Sequence, residues 1–91
     1  MDNPFDVRIE CDENGVVTNL DSPLISWQSD KTQFTIEISP MPDLRFASFM
    51  RRTRAAHYRY DGTPLKPNST YSLRVRSGLG PWSSISFQTA G

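Results

Sequence analysis

Polar and apolar residues alternate most regularly between residues 33 and 39. Phe34, Ile36 and Ile38 share one side of this segment, and mainly hydroxyl or carboxylate side chains occupy the other. A period of two is typical of a β-strand with one buried face. Pro40 follows directly and lacks the amide donor that a strand ladder needs. The pattern therefore predicts a central strand over residues 33–39.

Shorter alternating segments predict the remaining strands. They cover residues 7–11, 24–27, 56–60, 71–76 and 82–89. Residues 16–20 are predicted to continue the first strand after a turn at Asn14-Gly15. For residues 44–54 a bent edge strand is preferred over a loop with a helical turn. About seven short strands with no helix and no repeat indicate an all-β fold, a two-sheet antiparallel sandwich of the immunoglobulin-like kind.

The composition fits one small domain. The chain has 91 residues, of which 36% are hydrophobic, and we expect a single domain over residues 1–91 with residues 1–5 as a flexible N-terminus. No apolar run approaches the roughly 18 to 20 residues that span a bilayer. The acidic start also lacks the basic region of a signal peptide. We therefore expect no membrane insertion.

Cysteine and histidine occur once each, as Cys11 and His57. A single cysteine cannot form an internal disulfide, and free cysteine is most often a small buried hydrophobe, so we predict that Cys11 is buried on the first strand. One cysteine and one histidine leave little basis for a Cys/His metal cluster. No metal and no cofactor are expected.

Charge is unevenly distributed along the chain although it sums to zero. Residues 1–43 carry nine acidic and two basic side chains, a balance of −7, and residues 44–91 carry one acidic and eight basic side chains, a balance of +7. Such polarity is typical of a nucleic-acid surface, of a site for an acidic partner, or of two halves of one fold that neutralise each other. The strand layout has to distinguish these alternatives.

One motif in the second half is characteristic of a known family. Residues 65–76, Leu-Lys-Pro-Asn-Ser-Thr-Tyr-Ser-Leu-Arg-Val-Arg, resemble the fibronectin type III family, in which a Leu-x-Pro turn and a Tyr-x-Leu-x-Val strand form a tyrosine corner. Trp27 is similar to the tryptophan of that family's second strand. The resemblance implies structural roles for Leu65, Pro67 and Tyr71. It places Trp27 in the core and gives the Tyr71 hydroxyl a backbone partner upstream.

Two subgroups of that family share further features with this chain. Segments 60–65, 81–83 and 87–91 are similar to accessory modules beside the catalytic domains of bacterial glycoside hydrolases, including α-L-rhamnosidases. Segment 82–86 is similar to the Trp-Ser-x-Trp-Ser box of cytokine-receptor modules, although Ile85 stands where the second tryptophan belongs. As a module of a larger protein, the chain would be extracellular or associated with a surface.

The resemblance also implies a set of contacts around Trp82. In either subgroup Arg74 or Arg76 stacks on this tryptophan, and a cation over an exposed indole contributes roughly 0.5–1 kcal/mol. In this family the strand of Glu37 pairs with the strand of Arg74. We therefore expect Glu37 and Thr35 to face the two arginines across the outer surface. Such a ladder would stabilise the last hairpin.

No catalytic motif is recognisable in the chain. G-x-S-x-G, H-E-x-x-H and P-loop patterns are missing, and the acidic residues are scattered, so we predict that the chain is not an enzyme. Arginines and aromatic residues interleave between residues 45 and 60, as a nucleic-acid surface requires. The alternation places Tyr58 and Tyr60 in the core, however, and a pI near 6.5 is low for such a module. Nucleic acid is therefore not an expected partner.

Three arginines close together have no predicted partner of opposite charge, namely Arg51, Arg52 and Arg54. We predict that they bind a protein partner of acidic character, with Leu79 and Trp82 as further contact residues. The chain is thus interpreted as a non-catalytic module for protein–protein interaction or for spacing in a larger assembly. The alternative is a carbohydrate-binding accessory module of a glycoside hydrolase, in which Trp82 or Phe49 stacks on a sugar.

Overall fold

The computed structural model describes residues 4–40 and 47–91, and eight strands lie in these ranges. In chain order they are β1 (Phe5–Ile9), β2 (Val16–Val17), β3 (Leu24–Gln28), β4 (Phe34–Ser39), β5 (Phe49–Thr53), β6 (His57–Arg59), β7 (Thr70–Ser77) and β8 (Ser83–Thr89). The fold is all-β, as the alternating segments predicted. Within the same ranges, no helix is long and apolar enough to cross a membrane.

The strands form two sheets. One sheet has three strands in the order β1-β3-β6, and the other has five in the order β2-β8-β7-β4-β5. Neighbouring strands are antiparallel except β2 and β8, which are parallel. Strand β4 lies between β5 and β7, which confirms the central strand predicted over residues 33–39.

The apolar faces of the two sheets pack against each other to form the core. Trp27 on β3 lies edge-on to Phe34 on β4, with the ring centroids 5.2 Å apart. Ile36 and Ile38, on the same face of β4, are completely buried. The core residues are Ile9, Val17, Ile25, Trp27, Phe34, Ile36, Ile38, Phe49, Tyr60, Leu65, Tyr71, Leu73, Val75 and Phe87. Burying these side chains supplies most of the driving force for folding.

Tyr71 occupies the corner at which the chain enters β7. Its ring stacks on Phe87, with the centroids 5.5 Å apart, and its hydroxyl accepts a hydrogen bond of 2.9 Å from the Lys66 N–H. Leu65 belongs to the buried core, whereas Pro67 is exposed in the turn. The upstream backbone bond expected for Tyr71 is therefore present.

Residues 1–5 were predicted to form a flexible N-terminus, but Pro4 and Phe5, the first residues that the structure describes, are held in place. Pro4 is fully buried, and its carbonyl accepts a hydrogen bond from the Ser83 hydroxyl. Phe5 begins β1. The prediction is therefore wrong for Pro4 and Phe5, because contacts with the start of β8 hold this segment against the sandwich.

Two further predictions for the N-terminal part are also wrong. Cys11 is exposed, because β1 ends at Ile9 and the chain has already turned towards Gly15. Val16 and Val17 do not continue β1. They form β2, which changes sheets and pairs in parallel with the end of β8.

Strand β5 lies at one edge of the five-stranded sheet. It spans Phe49–Thr53 and pairs with β4 alone among the described strands. The edge strand preferred for residues 44–54 is thus confirmed over 49–53. The part of that prediction from 44 to 46 lies outside the described residues.

Candidate functional site

Three of the predicted partner-binding residues line one groove on the outer face of the five-stranded sheet. Arg52, Arg54 and Leu79 border a groove of about 580 Å³. Its lining residues are Gln33, Phe34, Thr35, Arg52, Thr53, Arg54, Arg76, Gly78 and Leu79. The groove lies over the start of β4, between the end of β5 and the hairpin that joins β7 to β8. We call this feature the basic groove.

Strand register explains why arginines from distant parts of the chain meet here. Thr35 on β4 lies opposite Arg52 on β5 and also opposite Arg76 on β7. Successive residues of a strand point to opposite faces, so the outward-facing residues of three adjacent strands form a row across the sheet. Arg54 extends the basic side of this row beyond the end of β5.

The hairpin between β7 and β8 places an apolar side chain at the rim of the basic groove. Gly78 has a φ of 55°, in the left-handed region that favours glycine, and its N–H bonds the Gln33 carbonyl at 3.2 Å. The Gly80 N–H bonds the Ser77 carbonyl at 2.9 Å and closes the turn. Leu79, at the tip of this turn, is 91% exposed. Leu79 thus presents an exposed apolar side chain beside the arginines of the groove.

Trp82 stands beside the basic groove and contacts two arginines of β7. The Arg74 guanidinium carbon lies 3.9 Å from the indole centroid, and that of Arg76 lies 4.4 Å from it. Arg74 also donates two hydrogen bonds to one oxygen of Glu37, at 2.9 and 2.6 Å. Both members of this ion pair are largely covered. The ladder inferred from the family resemblance is therefore formed.

The arginines of the basic groove lack anionic partners in the part of the chain that the structure describes. Arg52 and Arg54 are exposed, and neither takes part in an ion pair with a described residue. The Nε of Arg76 is buried without a hydrogen-bond partner. A buried donor that lacks an acceptor is unfavourable.

Arg51 does not belong to the basic groove, and the prediction that it has no partner is wrong. It lies on the face of β5 opposite to Arg52, with its guanidinium over the Phe49 ring at 4.6 Å. Its Nε bonds Asp61 at 3.0 Å. Successive side chains of a strand point to opposite faces of the sheet. The alternation in the sequence could therefore have shown that Arg51 faces away from Arg52 and Arg54.

Asp61 also accepts a hydrogen bond of 2.7 Å from the Tyr58 hydroxyl. This bond favours the neutral phenol, and together with partial burial it raises the pKa of Tyr58 above its usual value of 10.0. Burial raises the pKa of Tyr60 as well. Asp61 thus joins Tyr58 and Arg51 in a network at the side of the sandwich, away from the basic groove.

Phe49 does not offer a ring for a sugar to stack on. It is only 4% exposed, and its ring packs on Tyr60 with the centroids 4.5 Å apart. The sequence interpretation of Phe49 as an exposed aromatic residue is therefore wrong, because its position on β5 faces the core. Trp82 is half-buried, and two guanidinium groups lie against its ring.

Residues 4–40 and 47–91 contain no group of three or more His, Cys, Asp or Glu side chains that could hold a metal ion. His57 is exposed on β6, in line with its predicted outward position.

No protein family and no curated protein matches the sequence of this chain. Solved structures do match its fold. The FN5 domain of Drosophila Lar has a TM-score of 0.64 and 22% identity, with 97% of this chain and 95% of that chain covered. FN3tt has a TM-score of 0.67 and 15% identity, with 97% and 92% covered. An α-L-rhamnosidase from Dictyoglumus thermophilum has a TM-score of 0.72 and 19% identity, with 98% of this chain but only 12% of that chain covered.

The two packed sheets, which are antiparallel except for the β2–β8 pair, define an immunoglobulin-like β-sandwich. Within that class, the tyrosine corner and the matching structures assign the fibronectin type III fold. The fold predicted from the motif at residues 65–76 is thereby confirmed.

Proposed function

We propose that this chain is a non-catalytic module of a larger assembly and that it binds an acidic segment of a protein partner through the basic groove. The observation that supports this proposal is the arrangement of Arg52, Arg54 and Arg76 around one groove. None of them forms an ion pair with a described residue. Carboxylates form charge-assisted hydrogen bonds with guanidinium groups, and the exposed Leu79 adds an apolar contact.

Electrostatics inside the module support the same conclusion. The acidic first half and the basic second half neutralise each other in part, since Glu37 pairs with Arg74 and Glu10 lies 3.6 Å from Arg59. The basic groove keeps its charge in the described structure. Unneutralised charge of one sign at a surface attracts a partner of the opposite sign and raises the rate of encounter.

Carbohydrate binding, the alternative, has less support. Phe49 is buried, and the Trp82 ring already contacts two guanidinium groups. Stacking of a sugar on Trp82 would have to compete with these contacts. A glycan array probed with the native module and with Trp82→Ala would reveal this activity as a signal that the substitution removes.

A charge-reversal experiment tests the proposed function. A labelled peptide with several glutamates and one leucine is titrated with the native module and with the double variant Arg52→Glu/Arg54→Glu. We expect micromolar binding that weakens with salt and falls at least about tenfold in the variant. Arg8→Glu/Lys66→Glu is the matched control, because it changes the net charge equally at exposed sites outside the groove. Equal losses in both variants would show that net charge, and not the groove, causes the binding.

A further inference from the structure

Among the described residues, the edge of the five-stranded sheet next to the basic groove is open. Strand β5 pairs with β4 on one side, and no strand among residues 4–40 and 47–91 pairs with its other side. An edge strand presents backbone N–H and C=O groups to which a further strand can bond. One of the β5 carbonyls, that of Met50, already accepts a hydrogen bond of 2.8 Å from the Arg51 guanidinium.

Side chains along β5 give this edge a definite chemical pattern. Met50 and Arg52 point to the outer face, and Arg54 continues that side beyond the strand. Met50 is 50% exposed and therefore presents an apolar side chain on the outer side of this edge. The outer side of the edge therefore presents an apolar position followed by two basic positions, each separated by one residue.

The same pattern disfavours a second copy of this chain as the added strand. Antiparallel pairing of two β5 strands about their centres would place Arg51 opposite Arg51 and Arg52 opposite Met50. Like charges directly opposite each other are destabilising in a sheet, and charged edge strands are a known means of preventing self-association. A strand with acidic residues meets no such repulsion.

We propose that an extended acidic segment of the partner adds to β5 as an antiparallel sixth strand of this sheet; this inference rests on the proposed function. Antiparallel addition places successive outward residues of the segment beside Arg54, Arg52 and Met50. The segment therefore has the order acidic, any, acidic, any, apolar. Main-chain hydrogen bonds supply affinity, and the three outward side chains supply specificity.

Synthetic peptides separate strand addition from simple charge attraction. The first peptide contains Glu-Thr-Glu-Thr-Val, and the second has the same composition with the two glutamates adjacent, so that they point to opposite faces of a strand. Two further peptides carry the first sequence with backbone N-methyl groups, either at the odd or at the even positions. Calorimetry measures each affinity, and amide exchange measures the protection of β5.

We expect the alternating peptide to bind at least tenfold more tightly than the adjacent one and to slow the exchange of β5 amides. Alternate amides of the peptide strand point to the same side, so only one set of them can bond β5. N-methylation of that set should abolish binding, and N-methylation of the other set should not. A Lys-Thr-Lys-Thr-Val peptide should bind Arg52→Glu/Arg54→Glu and not the native module. That reversal shows that the variant is folded and that the outward charges determine the partner.

Three outcomes would contradict the inference, and they can be told apart. Equal binding of all the acidic peptides, with no change in β5 exchange, would overturn strand addition and leave the acidic-partner function standing. No binding of any acidic peptide would overturn both. Concentration-dependent dimerisation of the free module, accompanied by protection of β5, would identify a second copy as the added strand.

Discussion

Replacing Tyr71 with phenylalanine removes a single hydrogen bond from the corner that defines this fold. The hydroxyl accepts the Lys66 N–H at 2.9 Å, and the ring is 7% exposed and stacks on Phe87. Phenylalanine fills the same space and preserves the stacking. The variant therefore leaves the packing intact and deprives one backbone donor of its acceptor.

The expected cost follows from that lost acceptor. A hydrogen bond of this kind contributes roughly 0.5–1.5 kcal/mol, and an unsatisfied buried donor costs about 1–3 kcal/mol. The bond is only partly buried, so we expect Tyr71→Phe to lower the free energy of unfolding by about 1–2 kcal/mol. For a domain of this size that corresponds to a fall in Tm of about 4–16 °C.

Chemical denaturation of the native module and the variant measures this quantity. We expect a lower midpoint with an unchanged m-value, since the surface exposed on unfolding stays the same. Tyr58→Phe is the control, because it removes a hydroxyl that bonds Asp61 at an exposed site and should cost about 0.5 kcal/mol or less. If Tyr71→Phe is no more destabilising than the control, the corner bond does not stabilise the fold and the reasoning is refuted.

Three other predictions follow from the same structure. Trp82→Ala should lower the Tm and speed amide exchange in β7 and β8, because it removes two cation–π contacts worth roughly 0.5–1 kcal/mol each; unchanged exchange would contradict the ladder. A double-mutant cycle of Glu37→Ala and Arg74→Ala should give a coupling of about 1 kcal/mol, and a value near zero would show that the covered pair is not stabilising. Because the pKa of Tyr58 is raised, its phenolic proton binds more tightly in the folded state than in the unfolded state. The contribution of this proton to the free energy of unfolding is therefore fully present below pH 10 and is lost as the pH rises through the raised pKa. Tyrosinate absorbance followed against pH should show that Tyr58 ionises above pH 10, and Asp61→Asn should move its pKa back towards 10.0.

Alternation of residue types was sufficient to predict the strands that pack in the core. Phe34, Ile36 and Ile38 were placed on one face by their spacing, and all three are buried. Alternation failed for Cys11, because a period of two carries no information on where a strand ends. It also failed for β2, whose parallel partner β8 lies far along the chain. Pairing between distant strands depends on which edges the assembled sheets leave open.

The candidate site could be predicted only in part. Arg52, Arg54 and Leu79 were identified from unpaired charge and from the glycine-rich hairpin, and the fold brings them to one groove. Arg51 was grouped with its neighbours because proximity along the chain was given more weight than the alternation of faces. Thr35 was expected opposite Arg76, and it is. Thr35 also lies opposite Arg52 on its other side, and this second pairing depends on the register of β5 against β4.

The sequence alone determined which faces of β3, β4 and β7 are buried, the identity of the corner residues and the separation of charge between the two halves. These properties are local, since they follow from residue type and from the period of a strand. Only the tertiary structure decided which charges neutralise each other. Glu37 meets Arg74 because β4 and β7 are adjacent. Arg52 lies on the edge strand β5 and Arg54 lies just beyond its end, and neither forms an ion pair with a described carboxylate. Neutralisation requires contact, and contact between distant segments exists only after the sheets have assembled.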